Sequence, residues 1–204
     1  MYGSALRRDV IKSFRSRALE RFASEGDGSR LPVPDKERVR RILLALDAAS
    51  APGQLNIPGF KLHALKGKGK RFAVSANANY RITFGWSGVD AIDVDLGGLP
   101  LMTPNKLTGL RPMHPGELLR EEVLPALGRP KTEIAAMLGV SRQTLYDILA
   151  ERQPVTPAMA LRFGKLLGNG PELWLNMQRA YDLHIAEQGM KAEVARIPTL
   201  QAAS

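Results

Sequence analysis

The stretch KTEIAAMLGVSRQTLYDILA, residues 131–150, decides the fold of the second half of this chain. Apolar residues recur at helical spacing on both sides of Gly139, which predicts two amphipathic helices joined by a tight turn. Gly139 supplies the positive φ that a three-residue turn demands, Ala135 is small enough for the helix crossing, and Ser141 is typical of an N-cap. The apolar set consists of Ile134, Leu138, Val140, Leu145 and Ile148. The stretch therefore predicts a helix-turn-helix; the structural alternative is an αα-hairpin with glycine in its turn.

The first turn of the second predicted helix carries side chains that can read DNA. Arg142 can bind guanine through O6 and N7, and Gln143 can bind adenine through N6 and N7. Asp147 lies one turn further along the same side, where we expect it to orient Arg142 or to accept from a cytosine amino group. The start of the first helix lies where a backbone phosphate is held. The predicted DNA-binding residues are Lys131, Thr132, Ser141, Arg142, Gln143, Thr144 and Asp147.

Flanking helices complete an all-α domain of about five helices. One helix is predicted over 114–127, another begins at Thr156-Pro157 and is stopped by Asn169-Gly170, and a third begins at Pro171. The last of these is more apolar than one face of a small bundle requires, with Trp174, Leu175, Met177, Tyr181 and Leu183. These residues either fill the core or form a homodimer interface, which a palindromic operator requires.

The first half mixes helical and alternating patterns. Residues 10–14 predict a short strand and residues 17–24 a short helix. Asp35 begins a longer helix, whose arginines we expect on the side that faces solvent: Arg38, Arg40 and Arg41.

From Lys61 to Asp95 apolar residues alternate with polar ones, which is typical of half-buried strands. The segment from Trp86 to Asp90 supplies a hairpin turn, so the last two strands are expected to be antiparallel neighbours. Two helices against a small antiparallel sheet make an α+β domain of about 90 residues.

Glycine and proline cluster between the two halves, in LGGLPLMTPNKLTGLRPM, without a sustained helical or alternating period. This composition is typical of a linker. The predicted division is an extension at 1–9, an α+β domain at 10–98, a linker at 99–112, a helix-turn-helix domain at 113–190 and a tail at 191–204.

Charge and composition narrow the class of protein. The formal net charge is +9, and residues 1–104 hold 17 Lys and Arg against 10 Asp and Glu. Such an excess attracts polyanions, so RNA, DNA or the ribosome are plausible partners, although a solvated surface has the same composition. The absence of cysteine excludes disulfides and thiolate metal sites. With no apolar run near 20 residues and no signal-like start, we expect a cytoplasmic protein without membrane, metal or cofactor.

Two segments resemble known families. Residues 113–186, from MHPGELLREEVLPALG through VSRQTLYDILAERQPVTPAMALRFGKLLG to PELWLNMQRAYDL, closely resemble the HigA antitoxins, which are dimeric repressors. Residues 10–95, from VIKSF through LNIPGFKLHALKGKGKRFAVSANANYRITF to DAIDVD, resemble the HigB toxins of the RelE/ParE superfamily. The resemblance implies a RelE-like α+β toxin domain followed by an XRE-like helix-turn-helix domain. In most such systems the two are separate proteins.

The resemblance also implies a toxin that enters the ribosomal A site and cleaves mRNA without a metal. Such cleavage requires cations at the phosphorus and groups that move protons. The positions that match the family are His63, Lys66 and Arg81 as catalytic residues, with Lys68, Lys70 and Arg71 as an RNA-binding flank. Without the family, a histidine on a strand is more often structural and a lysine run more often a solvated loop.

The sequence departs from the family at three positions. Many HigB toxins end in a Tyr-His pair that positions and protonates the substrate, and the aligned residues here are Leu99 and Pro100. A further basic position is Asn77. Since leucine and proline side chains cannot transfer a proton, our hypothesis is that the nuclease activity is weak or lost.

Three functions follow from these observations. The first is a toxin–antitoxin fusion whose helix-turn-helix domain binds operator DNA as a dimeric repressor and neutralises the toxin-like domain. The alternative is a ribosome-dependent endoribonuclease held inactive by its tethered antitoxin, with the ribosome and mRNA as partners. A third, poisoning of a topoisomerase as in the ParE branch, is disfavoured by the LKG and RITF segments.

Overall fold

The computed structural model describes residues 10–65, 70–97 and 109–198. In the first half, α1 (Arg17–Glu25) and α2 (Lys36–Ala48) precede a four-stranded antiparallel sheet in the order β1-β2-β3-β4. The strands are β1 (His63–Ala64), β2 (Arg71–Ser75), β3 (Arg81–Ser87) and β4 (Asp90–Leu96). The predicted α+β architecture, both helices and the hairpin turn after β3 are confirmed.

The predicted strand at residues 10–14 is not a continuous strand. Ile11 and Phe14 form isolated parallel bridges to β4. The pairing is interrupted because Asp93 forms a bulge at φ 53° and its N–H donates to Ser13 Oγ at 2.8 Å instead of to a backbone carbonyl. Asp47 of α2 accepts from the N–H groups of Val10 and Ile11, which ties this segment to the helix.

One face of the sheet packs against the helices. Directly paired residues share a face, and residues two apart along a strand share it as well. The pairs Phe72–Phe84 and Val74–Ile82 therefore point to the same side, where Val74, Ile82 and Phe84 are fully buried. The opposite face carries the alternate residues and bears the second candidate site described below.

The second half is helical. The helices are α3 (Pro115–Leu118), α4 (Leu124–Leu127), α5 (Lys131–Leu138), α6 (Arg142–Leu149), α7 (Pro157–Leu167) and α8 (Glu172–Val194). The predicted helix over 114–127 is present, but a π-helical turn at Leu119–Val123 separates α3 from α4. Thr156 caps α7 through its side chain, as its position before proline predicted. Within the described ranges, no helix is long and apolar enough to cross a membrane.

The two halves share one hydrophobic cluster and a set of ion pairs. The expectation that Arg38, Arg40 and Arg41 face solvent is wrong. Arg38 binds one carboxylate oxygen of Glu122 and Arg41 binds the other. Arg40 pairs with Glu117. The sequence pattern identified the polar side of α2 correctly, but that side is covered by the second half.

Candidate nucleic-acid interface

The turn between α5 and α6 has the geometry of a helix-turn-helix. Gly139 adopts φ 64°, and its N–H donates to carbonyls at the end of α5. Ser141 Oγ accepts from the N–H of Thr144 at 3.0 Å and caps α6. Leu145 and Ile148 are buried, so the remaining sides of α6 hold Arg142 and Gln143 exposed at its N-terminal turn. The second predicted helix, the candidate recognition helix, is therefore present as α6 with its first turn exposed to solvent.

A close contact with α3 holds α6 in place. Gly116 lies at the start of α3, and an added Cβ there would collide with the carbonyl of Ile148. Arg120 of the π-helical turn donates to the carbonyl of Leu149 and pairs with Glu151. These contacts hold the C-terminal end of α6.

The start of α3 is capped by a buried histidine. His114 Nδ1 accepts from the N–H of Gly116 at 3.0 Å, and its ring lies edge-on to Tyr181 at 5.0 Å between centroids. Burial lowers the pKa of His114, which keeps the ring neutral and Nδ1 free to accept. The cap joins α3 to α8.

The predicted phosphate-contacting residues lie beside α6. Lys131 and Thr132 are both exposed at the start of α5. Lys131 Nζ lies 5.6 Å from the ring centroid of Tyr146, which is itself 42% exposed on α6. Sequence reasoning missed Tyr146, because the same position in an amphipathic helix also suits a residue at the edge of the core.

Asp147 has different partners from those expected. Gln143 Nε2 donates to both of its oxygens at 2.9 Å, and Arg152 donates to Oδ1 from Nε at 3.0 Å and from Nη2 at 2.6 Å. These hydrogen bonds, first that of Gln143 and then that of Arg152, lower the pKa of Asp147. Among the contacts that the structure gives this carboxylate there is none to Arg142. The functional candidate that the sequence missed is Arg152, since it follows the end of α6 and belongs to no periodic pattern.

The outer face of the sheet gathers several predicted toxin residues. His63 pairs with Ala73, and Ala73 pairs with Thr83. Arg71 lies two residues from Ala73 along β2, and Arg81 lies two residues from Thr83 along β3. His63, Arg71 and Arg81 therefore share one face of the sheet. His63 and Arg81 are exposed, and the structure describes Lys70 as exposed nearby in sequence. Lys66 and Lys68 lie outside the described residues, as do Leu99 and Pro100.

Arg71 is held by protein groups on this face. Its Nη2 donates to Thr83 Oγ1 at 3.2 Å and to the carbonyl of Asp93 at 3.1 Å. Arg15 also donates to the Asp93 carboxylate, at 3.1 Å. Desolvation and the neighbouring Arg15 lower the pKa of Arg71. An arginine engaged in this way has fewer donors left for RNA than the expected basic flank requires.

The described ranges contain no cluster of three His, Cys, Asp or Glu residues that could hold a metal ion. The exposed groups on this face of the sheet include the imidazole of His63 and the guanidinium of Arg81. Both can contact a phosphodiester directly.

Comparison with known proteins finds relatives among both toxins and antitoxins. Residues 12–97 match the model of a family described as RelE-like toxin of type II toxin-antitoxin system HigB. The chain is 37% identical over 83 residues to Endoribonuclease HigB of Proteus vulgaris, covering 40% of this chain and 90% of that protein. It is 37% identical over 76 residues to Antitoxin HigA-1 of Vibrio cholerae, covering 37% of this chain and 71% of that protein. A solved structure of antitoxin GraA in complex with its operator is 44% identical, covering 46% of this chain and 95% of that one, with a TM-score of 0.43.

Proposed function

This chain belongs to the HigB toxin family in its first half and to the HigA antitoxin family in its second, and we propose that it represses transcription as a dimeric, operator-binding toxin–antitoxin fusion. The observation that carries the proposal is the recognition helix α6. Its N-terminal turn presents Arg142 and Gln143 to solvent, while Ser141, Leu145 and Ile148 fix the helix in place. An arginine and a glutamine on such a turn provide the donors and acceptors that distinguish bases in the major groove.

The proposed dimer interface is one side of α8, which contacts a second copy of this chain. Leu183, Ala186, Met190 and Val194 recur at intervals of three or four residues, which places them on one side of the helix. Three of these are between 37% and 45% exposed, namely Leu183, Met190 and Val194. The same side continues into an apolar groove whose lining includes Arg179 and Asp182, and their opposite charges suit a self-complementary pairing.

Light scattering of the full chain, alone and with the DNA upstream of its own gene, tests this proposal. We expect two chains per duplex. Leu183→Glu should give one chain per duplex, because a carboxylate buried where the apolar stripe meets the groove would lack a partner. Ile185→Glu, on the opposite side of α8 and 46% exposed, is the matched control and should leave the mass unchanged. One wild-type chain per duplex, or no complex, would contradict the proposal.

Neutralisation is proposed to occur within one chain. Glu122 of the antitoxin half is fully buried between Arg38 and Arg41 of α2, and Glu117 receives Arg40. Asn176 of α8 adds a hydrogen bond to the carbonyl of Ala48 at 2.8 Å. Gly59 leaves no room for a side chain against the carbonyl of Glu122, so the halves approach closely there as well. The toxin half is thus bound to its own antitoxin half along α2.

A nuclease is the second candidate, favoured by His63 and Arg81, which are both exposed on one face of the sheet. We propose that this activity is weak or lost, because Leu99 and Pro100 replace the family's proton-transferring pair. Residues 10–104 expressed alone in bacteria should cause no growth arrest. The same segment with Leu99→Tyr and Pro100→His should arrest growth, since it regains a proton donor. Growth arrest with cleaved mRNA from the unaltered segment would refute the proposed loss of nuclease activity. If the segment with both substitutions is soluble but causes no arrest, Leu99 and Pro100 are not the cause of the loss.

A further inference from the structure

We infer that Asp147 is a positioning residue for DNA reading, which holds the amide of Gln143 and the guanidinium of Arg152 in one array, and that Arg152 is a DNA-backbone contact outside the recognition helix. The inference rests on the proposed function and deepens it. It replaces two simpler roles for Asp147, the orientation of Arg142 and the direct reading of a cytosine.

The amide of Gln143 is fixed by the carboxylate one helical turn away. Its Nε2 lies 2.9 Å from both oxygens of Asp147, which places one N–H between them. The plane of the amide is then set, while its carbonyl oxygen and its second N–H remain available for a base edge. A glutamine held in this way loses less side-chain entropy when it binds DNA than a freely rotating one.

Arg152 is attached to Asp147 by both its backbone and its side chain. The N–H of Arg152 donates to the carbonyl of Asp147 at 2.9 Å, and Nε and Nη2 donate to Oδ1. The side chain nevertheless remains 64% exposed. The contact with Asp147 uses two of the five guanidinium N–H groups, so three are left for phosphate oxygens.

The charges of the array fit a surface that faces DNA. A lone carboxylate on α6 would repel phosphates, but Arg152 neutralises Asp147 at hydrogen-bonding distance. The oxygens of Asp147 already accept from two partners, which leaves this residue poorly suited to accept from a cytosine as well. Asp147 therefore contributes geometry, whereas Gln143 and Arg152 contribute contacts.

A double-mutant cycle on the full chain tests the role of Asp147. The probe is a set of duplexes enriched from a random pool on the wild-type protein, each then altered at single base pairs. Gln143→Ala and Asp147→Ala should lose discrimination at the same base pair, each by about tenfold, and the double variant should lose no more than either one. Loss at a different base pair, or multiplication of the two effects, would show that Asp147 reads its own base and would overturn the inference.

The salt dependence of binding tests Arg152. The slope of log K against log salt is negative, and Arg152→Ala should reduce its magnitude by about 0.9, as the loss of one phosphate contact does. The reduction should be the same on enriched and random duplexes. Arg30→Ala, an exposed arginine of the first half, is the control for charge and should leave the slope unchanged. An unchanged slope in Arg152→Ala overturns its assignment. If the wild type enriches no sequence from the random pool, the proposed function itself fails. That outcome is distinct from every result of the double-mutant cycle, which requires enriched duplexes.

Discussion

The Glu122→Gln variant is expected to lose about 3–5 kcal/mol of the free energy of unfolding relative to the wild type. The wild-type carboxylate is 1% exposed and binds Arg38 on one oxygen and Arg41 on the other. Glutamine keeps the shape but removes the charge, so two partly buried guanidinium groups lose their common counterion. Because these arginines belong to the toxin half and Glu122 to the antitoxin half, the loss of stability reports on the contact between them.

Chemical denaturation of the full chain measures this effect, and the neighbouring residue provides the control. Glu121 is 44% exposed and pairs with Arg120, which is also on the surface. Glu121→Gln should change stability by less than about 1 kcal/mol, as exposed ion pairs do. If the two variants are equally stable, Glu122 is not a buried partner of α2, and the proposed neutralisation within one chain loses its main support.

The Arg142→Ala variant is expected to bind upstream DNA about 10- to 100-fold more weakly, which corresponds to the roughly 1–3 kcal/mol of one bidentate base contact. Binding to a scrambled duplex should fall much less, since a single charge contributes little of the non-specific term. Fluorescence anisotropy with both duplexes separates the two effects. The fold should not change, because Arg142 is exposed at the start of α6.

Arg30→Ala removes an equal charge from an exposed turn of the first half and serves as the matched control. It should bind both duplexes as the wild type does. Equal affinity of wild type and Arg142→Ala for upstream DNA would mean that the recognition residue has been assigned to the wrong position. Equal weakening on both duplexes would instead make Arg142 a backbone contact.

The elements that depend on neighbours in sequence could be predicted without the structure. The turn at Gly139, the cap at Ser141 and the start of α7 after Thr156 were all predicted at the right residues. Each depends on a requirement that one residue type satisfies locally, such as a positive φ or a side-chain oxygen near free N–H groups. The alternation that predicted the sheet has the same local basis.

Contacts between distant residues could not be predicted in this way. The polar stripe of α2 is compatible with solvent and with a second domain alike, and only the partner Glu122, 81 residues from Arg41, decides between them. The π-helical turn that carries Glu122 has no sequence signal that we recognise. The bulge at Asp93 is another case, since its partners Ser13 and Arg15 lie in a different segment.

The candidate site also contains both kinds of feature, those set by neighbours in sequence and those set by contacts that the sequence pattern does not describe. The exposure of Arg142 and Gln143 on the first turn of α6 could be predicted, because helical periodicity fixes which side of the helix is buried. The pairing of Asp147 with Arg152 depends on how the loop after α6 folds back, which periodicity does not describe. Arg71 was expected to contact RNA, whereas cross-strand neighbours place it beside Thr83 and Asp93.

Titration of the full-length protein against the DNA upstream of its own gene, beside a scrambled duplex of the same length, tests the central claim most directly. A sequence-specific repressor should bind the upstream duplex at least about a thousandfold more tightly at physiological salt. Equal affinity for the two duplexes, measured on folded protein, would contradict the claim that this chain reads operator DNA.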